Sequence, residues 1–265
     1  MGYENLRIDR DGQVATVALN RPEKLNAIDR NLHHEMMAAC AELRDDDDVR
    51  VVIFTGEGRG FCSGADLTGA RPNEEHPSRG ERLDEYNWVG RQALMVYRDL
   101  NKPTIAAVNG VAAGAGMGLA LACDMRVGCE NTRFKTVFIE RSLSPDSGLS
   151  YFLPRIVGSS RAFDLVFTSR AVDAEEAYRL GLLDRLTTAE NLLGDAKELA
   201  RQIADWPPVA MQMSKRALQR SLDTTLEDQL QYETHSIVFA RRAPHDVAEA
   251  AASFRERRPP VFTGE

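Results

Sequence analysis

Val49-Arg50-Val51-Val52-Ile53-Phe54-Thr55 runs into Gly56-Glu57-Gly58-Arg59-Gly60 and then into Phe61-Cys62-Ser63-Gly64-Ala65-Asp66-Leu67. Apart from Arg50, the first seven residues form an apolar, largely β-branched run of the kind found in a buried strand. Small side chains then crowd the exit from that strand. The arrangement returns at Thr104–Val108, a second buried strand followed by Asn109-Gly110 and, a little later, Gly114-Ala115-Gly116. Small residues leave backbone N–H groups open to a ligand, and at a helix start those groups carry partial positive charge. Two such donors meeting at one point would make an oxyanion hole. The same residues also suit close helix–sheet packing, and spacing alone does not separate the two roles.

Working outward, Leu6–Ile8 and Val14–Leu19 flank Asp11-Gly12 as a hairpin would. Asp29 is placed to cap a helix to about Arg44 that buries Leu32, Met36, Ala39, Cys40 and Leu43. Asp45–Asp48 reads as a solvated acidic loop, and residues 69–84 as a polar surface loop. A helix is expected over 86–100, a small-residue helix over Ala112–Ala122 and a short strand over Met125–Val127. Beyond residue 147 the pattern is helical. Asp173 caps one helix that ends at Gly181, and further helices are expected over 190–204, 208–221, 225–242 and 245–256. Strands alternating with helices, then helices alone, indicate an α/β core with a helical C-terminal part.

The chain has 265 residues, with 33 Lys and Arg against 40 Asp and Glu. A net charge of -7 argues against a general nucleic-acid binder, which needs a basic surface to neutralise phosphates. No apolar run approaches the roughly 20 residues that span a bilayer, and no signal-peptide pattern opens the sequence, so a cytoplasmic location without membrane attachment is expected. Cys40, Cys62, Cys123 and Cys129 form no C-x-x-C pair, and no H-E-x-x-H occurs, so neither a disulfide framework nor a metal site is expected.

Gly114-Ala115-Gly116-Met117-Gly118 lacks the G-x-G-x-x-G spacing of a dinucleotide loop, and the position about 20 residues onward is Phe134 rather than an acid. Ser63 does not sit in a G-x-S-x-G elbow. What remains is a combination of segments. Asn20-Arg21-Pro22-Glu23-Lys24-Leu25-Asn26-Ala27, Gly60–Leu67, Lys102-Pro103 through Gly114-Ala115-Gly116 to Cys123-Asp124, Pro145-Asp146-Ser147-Gly148 and Phe254–Pro259 together resemble the crotonase family of enoyl-CoA hydratases and isomerases. The pattern is nearest to the ring-epoxy phenylacetyl-CoA isomerases.

That resemblance implies a crotonase-like (ClpP/crotonase) spiral ββα core over residues 1–200 and a C-terminal helical region over 201–265 that drives assembly into a homotrimer or homohexamer. It implies an acyl-CoA substrate, with coenzyme A as part of the thioester and no separate cofactor. The oxyanion-hole N–H groups fall on Ser63 and Ala115. Lys24, Ala27, Gly64, Ala65, Asp66, Leu67 and Gly114 match positions that line the coenzyme A path. Trp88, Phe138 and Leu143 are candidates for the acyl pocket. The two glutamates of typical hydratases are replaced by Gly118 and Phe138, which removes the usual groups that activate water. Glu140, read on a strand, would point the same way as Phe138 but at another depth. Asp146 survives as the acid/base, and one carboxylate suffices to shift a double bond in an enoyl-CoA. Its other possible role is helix N-cap. Alternatives are a hydratase that recruits Asp84 or Glu85, and a non-catalytic acyl-CoA-binding paralogue.

Overall fold

The computed structural model describes residues 2–68 and 88–265. Its chain winds as a spiral in which each turn leaves one strand in each of two sheets. The hairpin β1 (Leu6–Asp11) and β2 (Val14–Leu19) starts the larger sheet, paired antiparallel from Leu6↔Leu19 to Asp11↔Val14. Helix α1 (Arg30–Asp45) follows, its first turn capped by the Asp29 carboxylate, which accepts from the Leu32 N–H at 2.9 Å. Strand β3 (Val51–Gly56) then joins the large sheet and β4 (Gly60–Cys62) the small one. After α2 (Trp88–Leu94), the second turn lays down β5 (Thr104–Val108) and β6 (Val111–Ala113). After α3 (Ala115–Ala122), the third lays down β7 (Met125–Cys129) and β8 (Arg133–Lys135). The large sheet closes with β10 (Arg185–Thr187) in the order β1-β2-β3-β5-β7-β10, and the small sheet has the order β4-β6-β8-β9, where β9 is Val172–Asp173.

One apolar core lies between α1, α3 and the inner face of the large sheet, and it includes Leu32, Met36, Phe54, Phe61, Met117 and Phe134. The outer face of that sheet, Val51, Ile53, Ile105 and Val127, is covered by Leu192, Ala196, Leu199 and Ala200 of α7 (Leu192–Ala204). Between these elements stand α4 (Leu149–Val157), α5 (Ser159–Thr168) and α6 (Ala174–Leu180). The last three helices, α8 (Pro208–Arg220), α9 (Leu226–Ala240) and α10 (Pro244–Glu256), extend from this core. Among the described residues no helix is long and apolar enough to cross a membrane.

Several sequence expectations shift. The expected 86–100 helix is α2 plus a π-helical turn over Met95–Asp99, and its first two residues lie outside the described ones. The expected Ala112–Ala122 helix is split, because residues 111–113 pair with Arg133–Lys135 before α3 starts. The third strand runs on to Cys129. The C-terminal half is not purely helical, since β9 and β10 return to the two sheets. The 69–84 loop, Asp84 included, lies outside the described residues, as does Glu85.

Candidate active site

The two small-residue turns meet. A Cβ added to Gly64 would stand 3.6 Å from the Ala115 nitrogen and 2.9 Å from the Ala113 carbonyl oxygen, and one added to Gly116 would overlap the Cys62 carbonyl at 2.1 Å. The glycines therefore serve both roles at once, since close packing of α3 on β4 is what brings the backbone donors together. Gly114 takes a positive φ of 51° and donates its N–H to Lys135 O at 3.0 Å, which turns the chain into α3. Ala115 is the first helical residue, so its N–H has no intrahelical acceptor.

On the opposite turn the structure corrects the sequence assignment. The Ser63 N–H donates to the Leu25 carbonyl at 3.0 Å and the Ser63 hydroxyl to Lys24 O at 3.2 Å, so this amide is already occupied. Its neighbour differs. Residues 25–28 run beside 63–66 through Ile28 N–H to Gly64 O at 2.7 Å and Asp66 N–H to Ile28 O at 2.9 Å. This bridge leaves the N–H of exposed Ala65 without an acceptor among the described residues. Ala65, expected only to line the coenzyme A path, is the residue whose amide can act with Ala115. The signal was the left-handed turn at Gly64, φ 100°, which reverses the direction of the next amide.

A polar scaffold fixes this turn. Asn26, fully buried, donates through Nδ2 to Glu57 O (3.0 Å) and Gly60 O (2.8 Å), and its Oδ1 accepts from the Arg21 N–H (2.9 Å). Arg21 reaches Asp66 at 3.0 Å, Asp29 at 3.1 Å and the Ala27 carbonyl. Asp66 accepts from the Thr68 hydroxyl (2.7 Å) and N–H (2.9 Å), and these bonds, with the Arg21 guanidinium, hold its carboxyl well below the usual carboxylate range. Lys24 donates to the Thr68 hydroxyl at 2.6 Å, while Leu67 is exposed beside them. Lys24, Ala27, Gly64, Ala65, Asp66 and Leu67 thus belong to one strap.

Asp146 adjoins α3 through its neighbour Ser147. A Cβ at Gly118 would meet Ser147 Cβ and Ser147 O at 2.6 Å each, so the Pro145–Gly148 turn fills the space where a glutamate side chain would begin. Ser147 and Gly148 both have left-handed backbones, φ 53° and 76°. The Asp146 carboxylate is half-buried, and its Oδ1 accepts from the Ser147 hydroxyl at 2.7 Å. It does not cap α4: Gly148 is the N-cap residue, and only the Asp146 backbone carbonyl accepts from Leu149 N–H, at 2.8 Å. Its carboxylate therefore keeps lone pairs for other work.

Of the acyl-pocket candidates, Phe138 is buried, with its ring edge 4.0 Å from a Cβ placed on Gly114. Trp88 packs edge-on against His33 of α1 at 5.5 Å between ring centres, and Leu143 is exposed. Glu140 lies in a 3-10 turn over Ile139–Arg141 rather than on a strand, exposed and paired with Lys135 at 2.6 Å.

The enoyl-CoA hydratase/isomerase family model matches residues 9–265. A Mycobacterium bovis protein named probable enoyl-CoA hydratase echA12 is 38% identical over 257 residues, 96% of this chain and 90% of its own. The 1,2-epoxyphenylacetyl-CoA isomerase of Escherichia coli K12 is 35% identical over 255 residues, 95% of each chain. The crystal structure of an enoyl-CoA hydratase from Bacillus anthracis superposes with a TM-score of 0.91 at 31% identity, over 99% of this chain and 100% of that one.

Proposed function

The chain belongs to the enoyl-CoA hydratase/isomerase family, and from that premise we propose that it is an enoyl-CoA isomerase using a single carboxylate. The observation that carries this reading is at Gly118. The Ser147 Cβ and backbone oxygen occupy the place a glutamate would need there, while Asp146, next to Ser147, offers a half-buried carboxylate that does not cap α4. The acyl-CoA enters with its thioester oxygen toward the Ala65 and Ala115 amides. Asp146 removes a proton from the carbon between the thioester and the double bond of a 3-enoyl-CoA. The electron pair moves onto the thioester oxygen, where two N–H donors hold the enolate. The protonated Asp146 then delivers the same proton to the far end of the conjugated system, which yields the 2-enoyl-CoA and restores the carboxylate. No water is consumed, and coenzyme A takes part only as the thioester. We further propose that the protein works as a homotrimer or homohexamer in the cytoplasm.

Product analysis by mass spectrometry tests the reaction. A 3-enoyl-CoA should return with unchanged mass and a shifted double bond, and a 2-enoyl-CoA should gain no water. Asp146→Asn should lower kcat by about 10²–10⁴-fold, the usual contribution of a positioned acid/base, with KM nearly unchanged. Addition of water to the 2-enoyl ester, or an Asp146→Asn protein as active as the wild type, would overturn the reading.

A further inference from the structure

The π-helical turn over Met95–Asp99 is closed by a bond from the Leu100 N–H to Met95 O at 2.8 Å. Such turns are rare and concentrate at functional sites, yet none of these residues belongs to the site around Asp146. The turn carries Tyr97 into the wall of a cavity of about 910 Å³ between α2, the start of α4, α8 and α9. Ala65, Ala115 and Asp146 do not line it. Its aromatic wall is Tyr97, Tyr151 and Phe152, which meet edge-on with ring centres 5.0 to 6.2 Å apart, and Tyr232 of α9 adds a fourth ring. The Tyr97 hydroxyl is enclosed without a hydrogen-bond partner, an exception that calls for an explanation.

The charged lining sorts into groups with and without a counter-charge. Arg98 pairs with Asp99 at 2.8 Å and Arg44 with Asp45 at 2.7 Å. Asp223 accepts from Arg155 at 3.0 Å and from the Tyr151 hydroxyl at 2.7 Å. Arg216 and Arg220, one turn apart on α8, have no carboxylate partner among the described residues. Arg216 donates to Asn101 Oδ1 at 2.7 Å, and the Arg220 guanidinium lies 5.0 Å from the Tyr232 ring centre. Two positive charges and one unmet hydroxyl donor are thus left beside four aromatic rings.

We propose that this cavity is a second binding site, separate from the thioester site, for a small aromatic carboxylate. A guanidinium meets a carboxylate with two parallel N–H donors, which suits Arg216 or Arg220. The rings receive a flat apolar body edge-on or in offset stacking, and the Tyr97 hydroxyl supplies a further donor. Asp99 and Asp223 in the same lining oppose a multiply charged phosphate, so a monoanion has the fitting charge. The volume falls within the roughly 300–1,000 Å³ of pockets that hold small molecules. The proposal does not depend on the isomerase reading.

The test is calorimetric titration of the native protein with indole-3-carboxylate, beside indole-3-carboxamide, which lacks the charge, and inorganic phosphate, which lacks the ring. The carboxylate should saturate one site per chain and bind about tenfold or more tighter than either control. Arg216→Gln and Arg220→Gln, both at exposed positions, should each weaken it about fivefold or more, and Tyr97→Phe about tenfold, as expected for losing a hydrogen bond to a charged group. Free Tyr97→Phe protein should melt no lower than the wild type, because the hydroxyl it loses has no partner, so its weaker binding is not a failure to fold. Saturating butanoyl-CoA should leave the carboxylate affinity unchanged. No saturable binding at millimolar concentration, equal affinity for the carboxamide, or full affinity in the Arg216→Gln/Arg220→Gln double variant would overturn the proposal. Competition by butanoyl-CoA would also overturn it, by placing the carboxylate at the thioester site.

Discussion

At Gly118 and His33, single side chains decide what the local chemistry permits. Glycine inside a helix costs about 1 kcal/mol relative to alanine, so Gly118→Ala would stabilise α3 if space allowed. Space does not allow it, because the atoms in the way are the Cβ and backbone oxygen of Ser147 rather than a flexible tip. Gly118→Ala should therefore destabilise the protein by about 1–3 kcal/mol, the usual result of overpacking, and thermal melting will show it. Gly118→Glu should lose Asp146-dependent turnover without gaining water addition. His33 makes the second case. It is 6% exposed, its Nδ1 is enclosed without a partner, and burial, with His34, Arg30 and Arg91 nearby, pushes its pKa down to about 4. A folded-state pKa below the unfolded value means that the unfolded chain binds the extra proton. This contribution is complete above about pH 6.5 and is lost as pH falls toward 4, by up to about 3 kcal/mol. Chemical denaturation of the wild type should show stability falling across that window, and His33→Gln should flatten the slope.

Elements that announce themselves locally were legible, and those defined by distant partners were not. The Asp29 and Asp173 caps, the Asp11-Gly12 hairpin and the β3 and β5 strands match their sequence readings, because each rests on a short-range bond or a continuous apolar run. The three-residue strands β4, β6 and β8 are too short to show a period. They exist because Gly60–Cys62, Val111–Ala113 and Arg133–Lys135 pair with one another across the spiral. Asp146 and Ala115 were assigned through the family's motif, whereas the proposed donor role moves from Ser63 to Ala65 because the Ser63 N–H is bonded to Leu25, 38 positions back in the chain. The same long-range logic docks α8. Buried Lys215 donates to Lys102 O and to Asp124, both at 2.8 Å, and Asp124 in turn accepts from the Thr104 N–H at 2.8 Å. Lys215→Met should cost about 1–3 kcal/mol by leaving that carboxylate and carbonyl without their donor. Hydrogen exchange should then show α8 opening before the sheet does.

For the whole molecule, the C-terminal region leaves many large apolar side chains uncovered. Phe254 is 85% exposed and Leu218 72%, and Leu226, Leu230, Ile237 and Val261 are exposed as well. Patches of this kind mark association surfaces in soluble proteins, and their place on α8–α10 and the segment after α10 agrees with the proposed trimer or hexamer. Light scattering should give a mass three or six times the 29.4 kDa of the chain. A charge at the most exposed position, Phe254→Glu, should shift the population toward the monomer. The dissociated Phe254→Glu protein should keep its turnover of a 3-enoyl-CoA, since Ala65, Ala115 and Asp146 sit on the spiral core, and loss of that turnover on dissociation would show that the assembled form completes the proposed site.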